Sequence, residues 1–212
     1  TPALDLLHDD EGIMGVRARA QGRAIEIRAK AVVLACGGFE SNAEMRTRYL
    51  GPNWDLAKVR GTRFNTGRGI QMALDLDARA TGHWSGAHAV AWEVNAPPFG
   101  DLDIGDSFQK HNYPFCVYIN AEGERFVDEG ADFHTYTYAK YGREVLAQTG
   151  HFAWQIFDQK TTHLLREDYR IRQITKVEAD TLEELAEKLD GVDTERCLAT
   201  LKAYNAAPRP DV

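Results

Sequence analysis

A run of small and apolar residues that ends on two glycines, AVVLACGGFES at residues 31–41, could bind a ligand. A strand that is buried on both faces is a continuous apolar run, and ligands bind just beyond the carboxyl ends of such strands. Gly37 and Gly38 would let a ligand approach the backbone without a Cβ in the way, so that exposed amides face a phosphate or a ring. The alternative is a tight strand-to-helix turn that contacts no ligand.

A second glycine-rich turn follows in NTGRGIQMALDLDA, residues 65–78. Its glycines precede apolar residues at Ile70, Ala73, Leu74 and Ala78, which is a helical spacing. This pattern predicts a second loop that leads into a helix.

The first part of the chain predicts a small β meander that leads into one buried strand. Alternating apolar residues and turn signals indicate strands over residues 3–8, 13–20 and 24–29, and the apolar run at 31–36 is predicted to be the buried strand. A short helix is expected after the double glycine, with Ser41 or Asn42 as its N-cap and the pair Gly51 and Pro52 as its end.

The rest of the chain predicts strands and helices in mixed order. Residues 81–114 lack periodicity but are rich in aromatic residues, which favours a functional segment over a solvated linker. We expect a β-hairpin over 114–130, a helix over 136–148, a strand over 152–158 and two helices, over 181–189 and 192–207. Because βαβ alternation is missing here, the predicted fold class is α+β, with domains at residues 1–83 and 84–212.

Composition and charge exclude several classes of function. Of 212 residues 43% are hydrophobic, which is typical of a folded globular protein, and the formal net charge of −7 argues against binding to nucleic acid. The three cysteines are widely spaced and the histidines lack ligand spacing, so neither disulfides nor a metal site is expected and a cytoplasmic location is favoured. No apolar run is long enough to predict a membrane span.

Four motifs in order resemble the flavoprotein subunits of fumarate reductases and succinate dehydrogenases, a family that includes ketosteroid dehydrogenases. They are VVLACGGFESN, NTGRGIQMAL, VYINAEGERFVDE, and TLEELAEKL before LKAYNAA. The segments WSGAHAVAW, ERFVDEGADF and YTYAKYGR are most similar to the tricarballylate dehydrogenase branch. The resemblance covers nearly the whole chain.

The resemblance implies that residues 1–83 are part of an FAD-binding domain and that residues 84–212 are a capping domain, with substrate held between cap and flavin. The implied FAD-binding residues are Ala35, Cys36, Gly37, Gly38, Phe39, Glu40, Thr66, Gly67, Arg68 and Gly69. Arg68 could pair with a flavin phosphate or lie on the surface. Because the family's pyrophosphate-binding fingerprint is missing, we expect this chain to be an internal part of a longer enzyme. We also expect the isolated chain to lack FAD and activity.

The resemblance also implies the residues that act on substrate. His88 matches the family's substrate-binding histidine, and His134 or its neighbour Phe133 stands where fumarate reductases have the arginine that delivers a proton. We expect His88, Tyr113 and His134 to bind substrate, and His88 and His134 to be catalytic, with His134 as the base for oxidation. The alternatives are an interior histidine at His88 and a surface histidine at His134.

The implied reaction is hydride exchange between flavin N5 and a small polycarboxylate that resembles tricarballylate, succinate or fumarate. The implied partners are this carboxylate and an electron-transfer protein. Residues 109–112 do not match the proton relay of fumarate reductases, so fumarate reduction itself is not expected. The competing hypothesis is a stand-alone α+β binding module without a cofactor.

Overall fold

Three antiparallel strands form the predicted meander in the computed structural model, which describes residues 2–207. The strands are β1 (Ala3–Asp9), β2 (Gly12–Ala20) and β3 (Arg23–Arg28). They pair in the order β1-β2-β3, with Val16 opposite Leu6 on one side and Ile27 on the other. The prediction of these three strands is confirmed.

The apolar run at residues 31–36 is not a strand, so this prediction was wrong. It pairs with no strand in the described part of the chain, and Val33 and Leu34 are 86% and 43% exposed. A strand needs a hydrogen-bonded neighbour as well as an apolar pattern, and residues 2–207 supply none for this run.

Each glycine-rich turn leads into a short helix, as predicted. The helices are α1 (Ala43–Leu50) and α2 (Arg68–Leu74). Asn42 is the N-cap of α1, and its side-chain oxygen accepts a hydrogen bond from the Met45 N–H at 3.1 Å. Gly67 precedes α2 in the left-handed conformation, with φ 75°.

The chain divides into two compact units. The first contains the residues up to Asp55 together with residues 62–86, and the second contains residues 56–61 together with the chain from Ala87 onward. The assignment of an FAD-binding part and a capping part stays a prediction.

The second unit mixes short helices and strands, so the expectation of mixed α and β structure is confirmed. Its elements are β4 (Cys116–Ile119), α3 (His134–Thr137), α4 (Tyr141–Leu146), β5 (Trp154–Phe157), α5 (Leu182–Lys188) and α6 (Thr194–Ala206), with 3-10 turns at Tyr113–Phe115, Thr149–His151, Gln159–Leu164 and Glu167–Tyr169. None of the helices described over residues 2–207 has the length and apolarity to cross a membrane.

The predicted hairpin and the predicted helix at 136–148 both differ from the structure. The turn after β4 is present, since the Asn120 N–H donates to the Glu124 carbonyl at 3.0 Å, but β4 pairs with the distant β5. In the segment that was predicted to be the second strand of the hairpin, Arg125 forms an ion pair with Glu129, four residues along the chain. The predicted helix is two short helices, α3 and α4, separated by residues 138–140.

Strand β4 is buried on both faces, and each face belongs to a different cluster. Val117 and Ile119 pack with residues of α5 and α6, including Cys197 and Leu201. The other face belongs to an aromatic cluster whose fully buried members are Tyr113, Tyr118 and Tyr141, with Cys116 beside them. This aromatic layer supports the candidate substrate residues described below.

Candidate functional site

In the first unit, the structure brings the two glycine-rich turns together. The Gly67 N–H donates to the Gly38 carbonyl at 2.8 Å, and the Ser41 N–H donates to the Asn65 carbonyl at 2.9 Å. The Asn42 side-chain amide donates to the Thr66 carbonyl at 3.0 Å. The residues predicted to bind FAD, 35–40 and 66–69, therefore form one continuous surface although they are about 30 positions apart in the sequence.

Two glycines in these turns occupy places where another residue would not fit. Gly37 and Gly67 both have φ near 75°, in the left-handed region. A Cβ at Gly67 would lie 2.6 Å from the Met45 sulfur and 2.9 Å from the Phe39 Cβ. A Cβ at Gly37 would lie 2.8 Å from the Asn65 side-chain oxygen. The backbone at these two glycines is therefore closely packed against side chains.

Backbone donors are available at the first turn. Among the hydrogen bonds within residues 2–207, none uses the backbone N–H groups of residues 36–40 as donors. Unused amides beside glycines are what a phosphate or a flavin ring needs, so the residues present fit FAD.

The side chain of Phe39 packs with Tyr49 and Trp84, with ring centroids 5.4 and 6.2 Å away, and this contact helps to hold the turn.

Two other predicted FAD contacts have structural partners within the first unit. Arg68 donates to the Leu4 carbonyl and forms an ion pair with Asp5 at 2.8 Å, so its charge is balanced inside the chain. Cys36 is exposed, and its sulfur lies 2.0 Å from where a Cβ at Gly69 would be. A direct contact of either residue with FAD stays a prediction.

In the second unit, three histidines and two tyrosines come together, and we call them the histidine cluster: His88, His111, Tyr113, His134 and Tyr138. Tyr138 lies at the centre, with its ring centroid 4.9 Å from that of His88, 5.5 Å from that of His111 and 5.6 Å from that of His134. All three residues predicted to bind substrate therefore belong to one cluster.

Backbone hydrogen bonds fix the segment that carries His88. The Ala89 N–H donates to the Ala139 carbonyl at 2.9 Å, and the Gly142 N–H donates to the Ala89 carbonyl at 3.1 Å. A Cβ at Gly142 would lie 2.6 Å from the Val90 nitrogen, so a larger residue there would push the segment away. The residues between α3 and α4 and the start of α4 thus hold the segment that carries His88.

His134 has an unused ring nitrogen. Its Nε2 atom is buried and has no hydrogen-bond partner among the described residues. A buried polar atom without a partner is costly, and one next to a predicted reaction centre is a candidate for contact with a ligand.

Tyr113 contacts His134 through its ring and its hydroxyl. The two rings stack with centroids 5.3 Å apart, and the Tyr113 hydroxyl lies 2.6 Å from the Thr137 hydroxyl and donates to the His134 carbonyl at 3.2 Å. Tyr113 is only 1% exposed, and burial raises the pKa of its hydroxyl. Contact of Tyr113 with substrate stays a prediction.

His111 is the member of the cluster that has a strongly shifted acidity. The pKa of His111 is lowered to about 4, mainly by burial and in smaller part by the nearby His134, Arg166 and Arg60, whereas Asp106 raises it. His111 is therefore neutral near pH 7.

Sequence reasoning did not assign His111 or Tyr138 to the site. Both come close to His134 only because the chain folds, and neither has a spacing that indicates a ligand. The aromatic character of residues 81–114 was the one useful signal, since it marked the region that contains His88, His111 and Tyr113 as functional.

Comparison with known proteins identifies the family of this chain. The family model described as FAD binding domain matches residues 1–211. The NADH:acrylate oxidoreductase of Vibrio harveyi is 31% identical over 97% of this chain and 20% of its own length. A probable fumarate reductase, Ifc3, of Shewanella frigidimarina is 29% identical over 94% of this chain and 32% of its own length.

A solved structure is also similar. It is the 3-ketosteroid delta1-dehydrogenase of Sterolibacterium denitrificans in complex with 1,4-androstadiene-3,17-dione, at 25% identity and a TM-score of 0.67. The match covers 96% of this chain and 38% of that chain.

The chain spans between a fifth and two fifths of the length of these relatives. The family match covers nearly all of the chain and assigns FAD as the cofactor. It confirms the resemblance that the glycine-rich turns indicated, and the chain therefore belongs to the FAD binding domain family of flavoproteins, together with fumarate reductases.

Proposed function

We propose that this chain is part of an FAD-dependent oxidoreductase that acts on a small carboxylate such as tricarballylate or succinate. The first unit would provide FAD contacts, and the second unit would be the capping part that binds substrate. The observation that carries the proposal is the histidine cluster, in which the buried Nε2 of His134 has no partner among residues 2–207. When bound, FAD supplies hydride transfer.

Different residues of the cluster would bind the substrate and exchange a proton with it. His88 would donate a hydrogen bond to a carboxylate oxygen, and Nε2 of His134 would exchange a proton with the carbon next to the one that exchanges hydride. Tyr113 holds the His134 ring in place through its stacking contact. His111 is neutral near pH 7, so it adds no positive charge beside the His134 ring.

Two classes of substrate are represented among the similar proteins: small carboxylates, in the acrylate and fumarate enzymes, and 3-ketosteroids. We favour a carboxylate because the N–H groups of imidazole rings can donate hydrogen bonds to the oxygen atoms of an anion. The match to the FAD binding domain family argues against the hypothesis of a binding module without a cofactor. A cytoplasmic location and an electron-transfer partner stay predictions.

Substitutions at His134 test the proposal. In the FAD-loaded full-length protein of which this chain is part, we expect His134→Ala and His134→Gln to lower kcat with a small carboxylate by about 10² to 10⁴-fold, because a general base typically contributes that much. His88→Ala should lower kcat/KM by about 10 to 100-fold, since it removes a hydrogen bond to a charged group.

Tyr136→Ala is the matched control, because Tyr136 lies on α3 with His134 but is 77% exposed. It should leave kcat close to that of the wild type. The flavin absorbance of each variant shows that FAD is still bound. Normal kcat in both His134 variants, with FAD bound, would remove His134 from the mechanism.

A further inference from the structure

Gln155 lies on β5 and forms hydrogen bonds through both the nitrogen and the oxygen of its side-chain amide. The nitrogen donates to the Lys110 carbonyl at 3.3 Å and to the Tyr118 hydroxyl at 2.7 Å, and the oxygen accepts from the Tyr169 hydroxyl at 2.7 Å. Tyr118 lies opposite Gln155 in the β4–β5 pair, so the strand register places the amide. Because the nitrogen only donates and the oxygen only accepts, these three contacts give the amide one orientation.

The Tyr169 hydroxyl extends this network to the chain around His111. It accepts a hydrogen bond from the Asn112 N–H at 2.9 Å. The Asn112 N–H and the Lys110 carbonyl belong to the two peptide bonds on either side of His111. Both of these peptide bonds are therefore held by Gln155, one directly and the other through Tyr169.

The partners of Gln155 are shielded from water, which makes the loss of a hydrogen bond in this network costly. The buried residues of the network are Lys110, Asn112, Tyr118 and Tyr169. A buried donor or acceptor that loses its partner cannot turn to water instead. The Lys110 ammonium adds a contact in the same direction, since it donates to the Asp168 carbonyl at 2.8 Å and lies 5.1 Å from the centre of the Tyr169 ring.

The segment held in this way, residues 110–113, carries two rings that contact His134. The His111 ring lies 5.5 Å from the His134 ring and the Tyr113 ring lies 5.3 Å from it, centroid to centroid. The Tyr113 hydroxyl also donates to the His134 carbonyl at 3.2 Å. The surroundings of the His134 ring thus depend on how this segment is held.

We infer that Gln155 is a positioning residue whose amide holds His111 and Tyr113 against the His134 ring. For its effect on rate the inference rests on the proposed function, in which His134 exchanges a proton with the substrate. A base is efficient only when its ring is held at the reacting carbon, and a small displacement costs much of the rate. Gln155 acts through His134 and does not need to touch the substrate.

Two substitutions remove parts of the network with little change in side-chain size. Gln155→Leu removes the amide, and Tyr169→Phe removes only the hydroxyl and keeps the ring. In the FAD-loaded full-length protein of which this chain is part, we expect each to lower kcat with a small carboxylate by about 10 to 100-fold, because the base is displaced. KM should change less, since other hydrogen bonds hold the segment of His88, which would bind the carboxylate.

Tyr118→Phe is the matched control. It also removes a buried hydroxyl that contacts Gln155 and keeps the ring, but the hydrogen bonds to Lys110 and Asn112 remain. It should therefore lower stability about as much as Tyr169→Phe does and leave kcat close to that of the wild type. Equal losses of kcat in the two tyrosine variants would show that lost stability explains the rate, and the inference would be overturned.

Amide hydrogen exchange in the same full-length protein measures the segment without substrate. The Asn112 N–H should exchange about 3 to 10-fold faster in Gln155→Leu and Tyr169→Phe than in the wild type, because a hydrogen bond that protects it is lost or weakened. In Tyr118→Phe it should exchange as in the wild type. Unchanged exchange in Gln155→Leu would overturn the inference, whatever the activity of that variant.

A double substitution shows whether Gln155 acts through His134. Once His134→Gln has removed the base, the addition of Gln155→Leu should lower kcat by no more than about threefold. A further loss as large as in the wild-type background would show that Gln155 acts elsewhere, and this too would overturn the inference. Normal kcat in His134→Gln alone would contradict the proposed function, and the positioning of a base with it, even where hydrogen exchange shows that Gln155 holds the segment.

Discussion

The acidity of a single residue, His111, keeps one ring of the histidine cluster neutral near pH 7. His111 is 7% exposed, its ring contacts those of His134 and Tyr138, and its charged neighbours are Arg60, Arg166 and Asp106. Since the pKa of His111 is about 4, its ring is neutral near pH 7. A neutral His111 does not compete with His134 for the proton that the proposed function assigns to His134.

This acidity predicts how stability depends on pH. The unfolded chain takes up a proton at His111 near pH 6.5, whereas the folded protein takes it up only near pH 4. Between these values the unfolded state binds more protons, so the contribution of His111 to stability is fully present above about pH 6.5 and is lost as the pH falls to about 4. We expect a loss of about 1 to 3 kcal/mol over this window.

Urea unfolding of the wild type and of His111→Phe measures this contribution. The variant keeps an aromatic ring but cannot be protonated, so its stability should fall less between pH 6.5 and 4. His163→Gln is the control, because His163 is exposed, and it should behave as the wild type does. Equal pH dependence in His111→Phe and the wild type would show that His111 is not buried as a neutral ring.

At the scale of elements, the hydrogen bond from Gly67 to Gly38 joins the two turns that would bind FAD. Gly67 is also the residue before α2, and its left-handed backbone sets the direction in which that helix begins. A side chain here would strain the backbone and collide with Met45 and Phe39.

We therefore expect Gly67→Ala to lower the free energy of unfolding by about 1 to 3 kcal/mol and to weaken FAD binding. Gly82→Ala is a matched control, because Gly82 also has a positive φ, 93°, but no heavy atom lies within 4 Å of where its Cβ would be. It should show only the backbone cost of about 1 kcal/mol, with FAD affinity unchanged. Equal losses of FAD affinity in the two variants would show that the turn does not form the FAD site.

Elements with local signals could be predicted from the sequence, and elements that depend on distant partners could not. Helices α1 and α5 begin after the predicted caps, Asn42 and Thr181, since a cap acts within one helical turn. Strand β4 was expected to pair with the residues that follow it, but it pairs with β5. The apolar run at 31–36 has the pattern of a strand without a described partner, which a pattern cannot show.

The same limit applies to the site. His88 and His134 were predicted from motifs as site residues, which stays a prediction, and the structure shows that both rings contact Tyr138. The low pKa of His111 depends on burial and on charges brought close by folding, for which the sequence has no local signal.

At the scale of the whole molecule, the two units carry different parts of the proposed chemistry. The turns that fit FAD lie in the first unit, and the histidine cluster lies in the second. Since the chain spans a fifth to two fifths of its relatives, the activity we propose belongs to the protein of which this chain is part. The expectation that the isolated chain lacks FAD and activity stays a prediction.

The most direct test of the central claim is the rate at which substrate reduces the flavin. The FAD-loaded full-length protein of which this chain is part is mixed without oxygen with tricarballylate, succinate or a 3-ketosteroid, and the loss of flavin absorbance is followed. We predict that tricarballylate or succinate reduces the flavin, that the steroid does not, and that His134→Gln slows the reduction by about 10² to 10⁴-fold. Reduction by the steroid alone, at a rate that His134→Gln does not change, would contradict the account.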